Sequence, residues 1–343
     1  MVSQKSYKFT FVILIVVLLV LFLVNISLGS ISISSETIFE SFFTETSKLS
    51  SQEYIIQNYR LPKAITAILV GSGLGISGLL MQTMFRNPLA GPFVLGITSG
   101  ASLGVALVIM GASVIGGVFA SVLSSQWSLV IAASLGSFIV LTAVLIVSSR
   151  VRDTMAILII GLMFGSITSA IVSVLSYFSS AESLQQYIFW GFGSLGDLQW
   201  PEVRIFLLVY IIGIVFTIIS IKSLNSLLLG ESYAKSMGLN IKKSRLIIIL
   251  ATCLLAGSIT AFAGPIAFIG LAIPHMTRQL FNTSNNKILL PAVFLFGAIV
   301  MLICDSIAQL PNSDYTLPIN AITSLIGAPV VVWLLVKKRR MIF

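Results

Sequence analysis

Charged residues are scarce in this chain of 343 residues: 9% are Asp, Glu, Lys or Arg, whereas 57% are hydrophobic. A soluble domain carries about a quarter charged residues, so this composition leaves too little polar surface to cover the chain in water. The sequence therefore excludes a soluble enzyme. One histidine, His275, and two cysteines, Cys253 and Cys304, are too few for a disulfide framework or a zinc site.

The basic residues are dispersed, although the net charge is +9. A nucleic-acid partner would need a shared basic face, which this pattern lacks, so we expect no nucleic acid. A membrane helix needs about 20 mostly apolar residues to cross about 30 Å of hydrocarbon. The charge-free runs are Phe9–Ser35, Ala64–Phe85, Asn87–Ser149, Thr154–Ala181, Ile205–Ile221, Leu246–Thr277, Ile288–Cys304 and Tyr315–Val336.

Two of these runs decide the number of spans. The 63-residue run from Asn87 must cross twice, with its turn between Gly111 and Gln126. The 32-residue run from Leu246 is either one span or two short spans broken at Gly264-Pro265. Ten spans leave only four of the 20 basic residues outside, whereas nine spans divide them equally. The positive-inside rule therefore favours ten.

We predict an all-α polytopic membrane protein with ten transmembrane helices, both termini in the cytoplasm, and a single transmembrane domain over residues 1–343. Residues 30–60 are predicted as an extracytoplasmic loop and residues 223–245 as a cytoplasmic loop. The first run has a second interpretation as a secretory signal, whose cleavage would leave nine spans. Its apolar stretch is longer than the usual length of about 7–15 residues.

Three glycine–proline elements interrupt the apolar runs: Gly91-Pro92, Gly264-Pro265 and Gly327-Ala328-Pro329. Each indicates either close helix packing or irregular backbone that lines a cavity. The segments Ala90–Gly96 and Ala263–Gly270 echo each other and begin spans of opposite direction. This echo predicts an inverted repeat of spans two to five and seven to ten, an arrangement common in transporters.

Ionisable residues are nearly absent from the predicted spans, which disfavours an ion-coupled carrier. A polytopic membrane enzyme is a third class, but no acid pair, metal cluster or Ser/His arrangement is present to carry catalysis. His275 is predicted as an interfacial hydrogen-bonding residue. No lysine follows a glycine, so the chain has no phosphate-binding loop. If ATP supplies the energy, another chain must bind it.

The longest cytoplasmic connection, Lys222–Arg245, contains a short helical pattern. Gly230 and Gly238 are predicted to bracket a helix, and Tyr233 and Met237, four residues apart, share one face. A carboxylate at the start of this helix suits its dipole. The pattern indicates either an amphipathic knob that faces the cytoplasm or a capped surface helix between spans.

Several segments together resemble one family, the permease subunits of bacterial ABC importers for iron-siderophore complexes and vitamin B12. The resemblance extends from about Arg60 to Lys338. The matching segments are Arg60–Lys63, Gly78–Gln82, Arg86–Ala90, Leu95–Ala101, Leu229–Gly238, Phe268–Arg278 and Leu325–Pro329.

The resemblance implies a multi-pass permease of the bacterial cytoplasmic membrane that imports ferric siderophore complexes and performs no catalysis. A second permease subunit would enclose the path, two cytoplasmic ATPase subunits would bind ATP and Mg, and an extracytoplasmic substrate-binding protein would deliver the cargo. This chain would bind no cofactor and no metal. Haem or cobalamin is the alternative cargo.

The resemblance also assigns site residues to three roles. The ATPase-coupling residues would be Gly230, Glu231, Tyr233, Ala234, Met237 and Gly238. The residues that dock the binding protein would be Arg60 and Lys63, for which contact with lipid headgroups is the alternative. The translocation path would include Gln82, Asn87, Pro88, Gly96, Thr98, Ser99, Gly100 and Ser102.

The sequence departs from the family pattern at two places. Gln309 stands where the family has a third basic docking residue. Thr316-Leu317-Pro318-Ile319-Asn320 stands where the family has Glu-Leu-Pro-Val/Ile-Gly, so an acid and a glycine are missing. These departures predict that a non-identical sister permease supplies the missing features, which makes a heterodimer the expected assembly.

Overall fold

The computed structural model describes residues 4–29, 31, 33–41, 50–115, 125–148, 154–310 and 315–336. Every regular element within these ranges is a helix, which agrees with the predicted all-α class. The predicted turn between Gly111 and Gln126 lies partly outside the described residues, and the basic tail Lys337–Arg340 lies wholly outside them.

The helices are numbered here in chain order. Two of them, α3 and α10, are continuous through a π-helical turn, Ile56–Arg60 and Cys253–Gly257 respectively. The helices are α1 (Gln4–Ser27), α2 (Ser35–Ser41), α3 (Ser51–Phe85), α4 (Ile97–Ile115), α5 (Gln126–Ser148), α6 (Thr154–Tyr177), α7 (Ala181–Phe192), α8 (Trp200–Leu228), α9 (Glu231–Ser236), α10 (Ile241–Ala263), α11 (Ile269–Phe281), α12 (Asn286–Ala308) and α13 (Ile319–Val336).

Seven of the described helices are long and apolar enough to cross a membrane, namely α1, α3, α5, α6, α8, α10 and α12. Helices α4 and α13 contain shorter apolar stretches, Ile97–Gly111 and Ile319–Trp333. Helix α11 has 13 residues and spans about 20 Å, which is less than the hydrocarbon thickness. The molecule is therefore a polytopic membrane protein, and ten spans with cytoplasmic termini stay a prediction.

Irregular backbone is present at two of the three glycine–proline elements. Helices α3 and α4 are separated by non-helical residues around Gly91 and by a 3-10 turn at Pro92–Leu95. Helices α10 and α11 are separated by the non-helical segment Gly264–Phe268. The long apolar run from Leu246 therefore contains two helices, because a proline cannot continue the backbone hydrogen-bond ladder.

Close packing is the explanation at the third element. Helix α13 continues through Gly327 and Pro329 without a break. Membrane helices tolerate an internal proline where neighbouring groups pair with the freed backbone atoms. A Cβ atom on Gly327 would overlap the Cβ atom of Phe268, so the glycine permits a close approach.

The chain divides into two compact units. The first contains Met1–Leu79, Ser194–Leu208 and Ile266–Phe343, and the second contains Leu80–Gly193 and Val209–Pro265. In the first unit, α3 crosses α11 and α12 at glycines. A Cβ atom on Gly71 would overlap the carbonyl oxygen of Gly297, and one on Gly78 would overlap that of Gly270. These backbones touch directly, as small residues allow in membrane helices.

In the second unit, α4 packs most extensively against α5 and also contacts α6 and α7. A Cβ atom on Gly100 would lie 2.5 Å from the carbonyl oxygen of Gly136. The hydroxyl of Ser137 donates a hydrogen bond to the carbonyl oxygen of Ile97 over 2.9 Å. Glycine contacts and a buried hydroxyl therefore join α4 to α5.

Helices enter both predicted loops. Residues 30–60 include α2 and the first ten residues of α3. Within residues 223–245, α8 extends to Leu228 and α10 begins at Ile241, so the connection that contains α9 is residues 229–240.

Candidate functional site

The short helix predicted between Gly230 and Gly238 is present as α9. Both glycines have positive φ angles, +103° at Gly230 and +83° at Gly238. Residues with a Cβ atom rarely adopt this backbone region, so the local geometry requires glycine at both ends. Beyond the helix, the amide of Leu239 donates to the carbonyl oxygen of Ala234 over 3.0 Å, which closes the C-terminal turn. The predicted bracket is confirmed.

One side of α9 is buried and the opposite side is exposed. Ala234 is fully buried, whereas the side chains of Tyr233 and Met237 are 53% and 60% exposed. Leu229, four residues before Tyr233, is also exposed. We call these three apolar residues the α9 patch. Leu229 lies just before the helix and Met237 is its C-cap residue, so the α9 patch extends along the whole length of α9.

An ion pair connects α9 to α10. The carboxylate of Glu231, the first residue of α9, contacts the guanidinium group of Arg245 in the second turn of α10. The Arg245 side chain is 15% exposed, so the pair is partly shielded from water. No role for Arg245 was predicted from the sequence. The pair could have been suggested by the sequence, because Glu231 begins one helix and Arg245 lies early in the next.

Three of the predicted path residues, Gln82, Gly96 and Gly100, are buried in the second unit. Gly96 has a φ angle of +73°, and a Cβ atom there would lie 2.9 Å from Cγ1 of Val140 in α5. Gly100 faces the backbone of Gly136 in the same helix. These two glycines therefore have a packing role between α4 and α5.

The hydroxyl-bearing path residues are more accessible. Thr98, Ser99 and Ser102 are each partly exposed along α4. The hydroxyl of Ser102 lies 2.7 Å from the hydroxyl of Tyr187 in α7. A Cβ atom on Gly165 of α6 would lie 3.2 Å from the Ser99 hydroxyl. Ser99 and Ser102 therefore lie where α4 meets α6 and α7.

Asn87 and Pro88 lie in the turn after α3 and are partly exposed. The side-chain oxygen of Asn87 accepts a hydrogen bond of 2.9 Å from the amide of Leu89. The Asn87 amide donates to the carbonyl oxygen of Gln82 over 3.1 Å. Asn87 therefore shapes the turn that leads into the irregular backbone at Gly91, as asparagine commonly does.

Arg60 binds the end of the first helix. Its Nη1 donates hydrogen bonds of 2.9 Å to the carbonyl oxygens of Ile26 and Ser27, and its Nη2 donates to that of Ile31. A Cβ atom on Gly29 would lie 2.7 Å from Nη2, so the glycine leaves room for the guanidinium in this position. Cationic side chains near a helix C-terminus satisfy its last carbonyl groups. Arg60 thus has an internal role that the sequence did not predict.

Lys63 belongs to a buried polar cluster around Asp305. Its Nζ lies 3.2 Å from Oδ1 of Asp305, whose side chain is 3% exposed. The other carboxylate oxygen accepts hydrogen bonds from Asn25 over 2.9 Å and from Gln309 over 2.8 Å. We call these four residues the Asp305 cluster. It joins α1, α3 and the end of α12. Its signals in sequence are Asp305, which directly follows an apolar run, and Asn25, which lies inside one.

Asn320, which stands where the family pattern has glycine, also has a partner. Its side-chain oxygen accepts a hydrogen bond of 3.1 Å from the amide of Ala267, in the non-helical segment before α11. The next residue, Phe268, has a φ angle of +64°. The asparagine therefore pairs with a backbone donor that no helix satisfies.

The described residues contain no group of three His, Cys, Asp or Glu side chains that could hold a metal ion. His275 is partly exposed within α11. In these parts of the chain, the arrangement provides packed helices with irregular junctions, and it places the α9 patch beside a paired carboxylate.

Comparisons with known proteins agree with the polytopic helical architecture. The hemin transport system permease protein HmuU of Yersinia pestis is 32% identical over 314 residues, covering 91% of each chain. The vitamin B12 import system permease protein BtuC of Salmonella paratyphi A is 36% identical over 290 residues, covering 84% of this chain and 85% of that one. A metal-chelate type ABC transporter solved in an inward-facing conformation matches with a TM-score of 0.81 and 30% identity, covering 97% of this chain and all of that one.

The family model of the FecCD transport family matches residues 17–337, nearly the whole chain. The matched relatives are named as transport permeases, and the described helices that are long enough to cross a membrane agree with that class of protein. The chain therefore belongs to the FecCD transport family and is a multi-pass ABC importer permease of the bacterial cytoplasmic membrane.

Proposed function

We propose that this chain is the transmembrane subunit of an ATP-driven importer for ferric siderophore complexes, with ten spans and both termini in the cytoplasm. The observation that carries the proposal is the α9 patch beside the paired Glu231, on a helix flanked by two positive-φ glycines. An exposed apolar surface of this kind fits a contact with another protein.

The partner on the α9 patch is a cytoplasmic ATPase subunit, one for each permease. The chain has no phosphate-binding loop of its own, so ATP and Mg bind to that partner and this chain binds no cofactor. The permease subunit performs no chemistry. Its contribution is a set of helices with two arrangements, whose balance shifts when partners bind them unequally.

The second permease subunit is a non-identical chain. Two residues that depart from the family pattern are engaged internally: Gln309 donates to Asp305, and Asn320 accepts from Ala267. A glutamine carries no positive charge and an asparagine lacks the backbone freedom of glycine, so neither can take the role that the family residue has at its position. A sister subunit that keeps the family residues would provide them.

A substrate-binding protein delivers the cargo at the extracytoplasmic face. Docking on Arg60 and Lys63 stays a prediction, because both side chains already hold internal partners. An arginine has five N–H donors and a lysine three, so an acidic residue of the binding protein can add to these contacts. Measuring the affinity of the binding protein for an importer that carries Lys63→Met/Asp305→Asn tests this docking, because the double variant removes the cation without leaving the Asp305 carboxylate unpaired.

The cargo is a large polar chelate. The accessible side chains of α4 include Thr98, Ser99 and Ser102. Their hydroxyl groups can form weak hydrogen bonds with a polar ligand that moves past them, without binding it tightly. Haem or cobalamin is the second candidate, because the matched relatives are named for transport of hemin and of vitamin B12. Both alternatives share the same architecture and differ in the path-lining side chains.

The experiment is uptake in a strain that lacks this gene. Radiolabelled iron is supplied as hydroxamate, catecholate and carboxylate chelates, and haem and cobalamin are supplied in parallel. We expect loss of uptake for at least one ferric siderophore and recovery when the gene is returned. Loss of haem or cobalamin uptake alone would refute the proposed cargo.

A second measurement tests ATPase docking. The wild-type chain should co-purify with an ATPase subunit, and the double variant Tyr233→Ala/Met237→Ala should lose most of it, because truncation removes the exposed apolar contacts. The control is Tyr177→Ala, which removes a side chain that is 83% exposed on another helix. Uptake that persists without any ATPase would contradict the function.

A further inference from the structure

Helix α9 cannot hold its own orientation. It has six residues, fewer than the three or four turns that stabilise an isolated helix. Glycines with positive φ angles flank it, Gly230 directly before the helix and Gly238 one residue beyond its C-cap, and a Cβ atom on Gly238 would meet nothing within 4 Å. Space therefore does not explain Gly238, and the backbone conformation does. A short helix between two such residues depends on side-chain contacts for its direction.

Two features of α9 lie away from the α9 patch. Ala234 is buried, and Glu231 pairs with Arg245. A surface ion pair contributes little because water screens it. Here the Glu231 side chain is 40% exposed but that of Arg245 only 15%, so the pair keeps more of the interaction than a fully exposed one. The guanidinium is also planar and directional, so it defines the orientation of the carboxylate it binds.

Arg245 lies on a long continuous helix. Helix α10 has 23 residues and is about 34 Å long. Near Arg245, the hydroxyl of Ser244 donates to that of Ser223 in α8 over 3.1 Å. At the other end, Gly264 has a φ angle of +75°, and a Cβ atom there would lie 2.8 Å from the carbonyl oxygen of Trp190 in α7. Helix α10 thus connects α9 at one end with α7 at the other.

We infer that Arg245 is the positioning residue that fixes the docking helix α9 on α10, so that displacement of α9 by its partner is passed along α10. This inference rests on the proposed function, because it takes α9 as the ATPase contact. It adds a residue and a direction of transmission: Glu231 receives the displacement, Arg245 transfers it, and α10 carries it to the junction at Gly264.

The first arm of the test measures the orientation of α9 without any partner. A spin label is attached at Met237→Cys in a background without Cys253 and Cys304, and its mobility is recorded by electron paramagnetic resonance. We expect Arg245→Gln to increase the mobility. The charge-swapped double variant Glu231→Arg/Arg245→Glu should restore it, because the pair is rebuilt with opposite polarity.

The second arm uses the importer reconstituted in lipid vesicles with the ATPase that co-purifies with the wild-type chain. The readout is cargo taken up per ATP hydrolysed. We expect Arg245→Gln to lower this ratio about tenfold, within the range of ordinary coupling free energies, and the charge swap to recover most of it. Lys242→Gln is the matched control, since it removes an exposed positive charge one turn away.

The outcomes separate the inference from the proposed function. Unchanged label mobility in Arg245→Gln would overturn the inference, and so would a charge swap that restores mobility without restoring the uptake ratio. A wild-type chain that transports without ATP hydrolysis would instead overturn the proposed function, while the mobility arm would still report on the ion pair.

Discussion

Replacing Gly100 by Ala tests whether this residue serves helix packing or the translocation path. A Cβ atom at this position would lie 2.5 Å from the carbonyl oxygen of Gly136 and 2.9 Å from Cβ of Val140. Both neighbours are fixed parts of α5, so neither can rotate away. Ordinary contacts begin at 3.4 Å, and α4 and α5 must therefore separate by about 0.9 Å at this point.

The magnitude follows from two opposing effects. Overpacking of a close helix contact costs about 1–3 kcal/mol. Replacing glycine by alanine inside a helix contributes about 0.5–1 kcal/mol in the opposite direction. We expect a net loss of about 1–2 kcal/mol, which corresponds to about 3–6 °C in the midpoint of thermal unfolding for a unit of this size.

The assay is the thermal unfolding midpoint of the purified protein in detergent, measured together with cargo uptake. Gly111→Ala is the control on the same helix, because a Cβ atom on Gly111 meets nothing within 4 Å. Its midpoint should stay equal to wild type or rise slightly. If Gly100→Ala keeps the wild-type midpoint but loses uptake, the packing argument fails and Gly100 lines the path.

Three further substitutions have defined consequences. Lys63→Met should lower the free energy of unfolding by about 3–5 kcal/mol, because it leaves the buried Asp305 carboxylate without its cation. The double variant Lys63→Met/Asp305→Asn should recover part of this loss, as measured by thermal unfolding. Asn320→Gly restores the family residue but removes the acceptor of the Ala267 amide, which should cost about 1–3 kcal/mol in chemical denaturation. Gly264→Ala should reduce expression and thermal stability, since its φ angle is +75° and a backbone carbonyl of α7 lies 2.8 Å from the new atom.

Each substitution has a control with an opposite expectation. Arg204→Met removes an exposed cation and should leave the unfolding midpoint unchanged. Asn320→Asp keeps an acceptor oxygen and should keep most of the stability. Gly191→Ala places a Cβ atom where nothing lies within 4 Å. A control that is as destabilised as its partner variant would show that the named contact is not the cause.

The sequence predicted the helices well because membrane spans have a simple physical requirement: length and low polarity. The break at Gly264-Pro265 was predictable for the same kind of reason, since proline lacks a backbone donor. Gly327 and Pro329 show the limit of such reasoning. The same residue types there permit close contact with Phe268, and α13 continues without interruption.

The candidate site was only partly predictable. The glycine bracket around α9 has a local cause in backbone conformation, and it was found. Pairing partners depend on which helices meet, so Arg245 was missed and Lys63 was predicted without Asp305. The roles of Gly96 and Gly100 could not be separated in sequence either. A glycine that lines a path and a glycine that lets two helices pack closely are the same residue type at the same spacing.

The fastening of the first helix bears on how the protein is made. A secretory leader is cleaved off, so the mature fold cannot depend on it. Here Arg60 donates hydrogen bonds to the carbonyl oxygens of Ile26 and Ser27, and Asn25 donates one to the buried carboxylate of Asp305. Excision of this segment would strip an arginine of its acceptors and deprive Asp305 of a donor at the same time. We therefore expect the N-terminal helix to stay in the folded protein, and a fusion placed ahead of it to remain attached; loss of such a fusion during expression would contradict this role of Arg60 and Asn25.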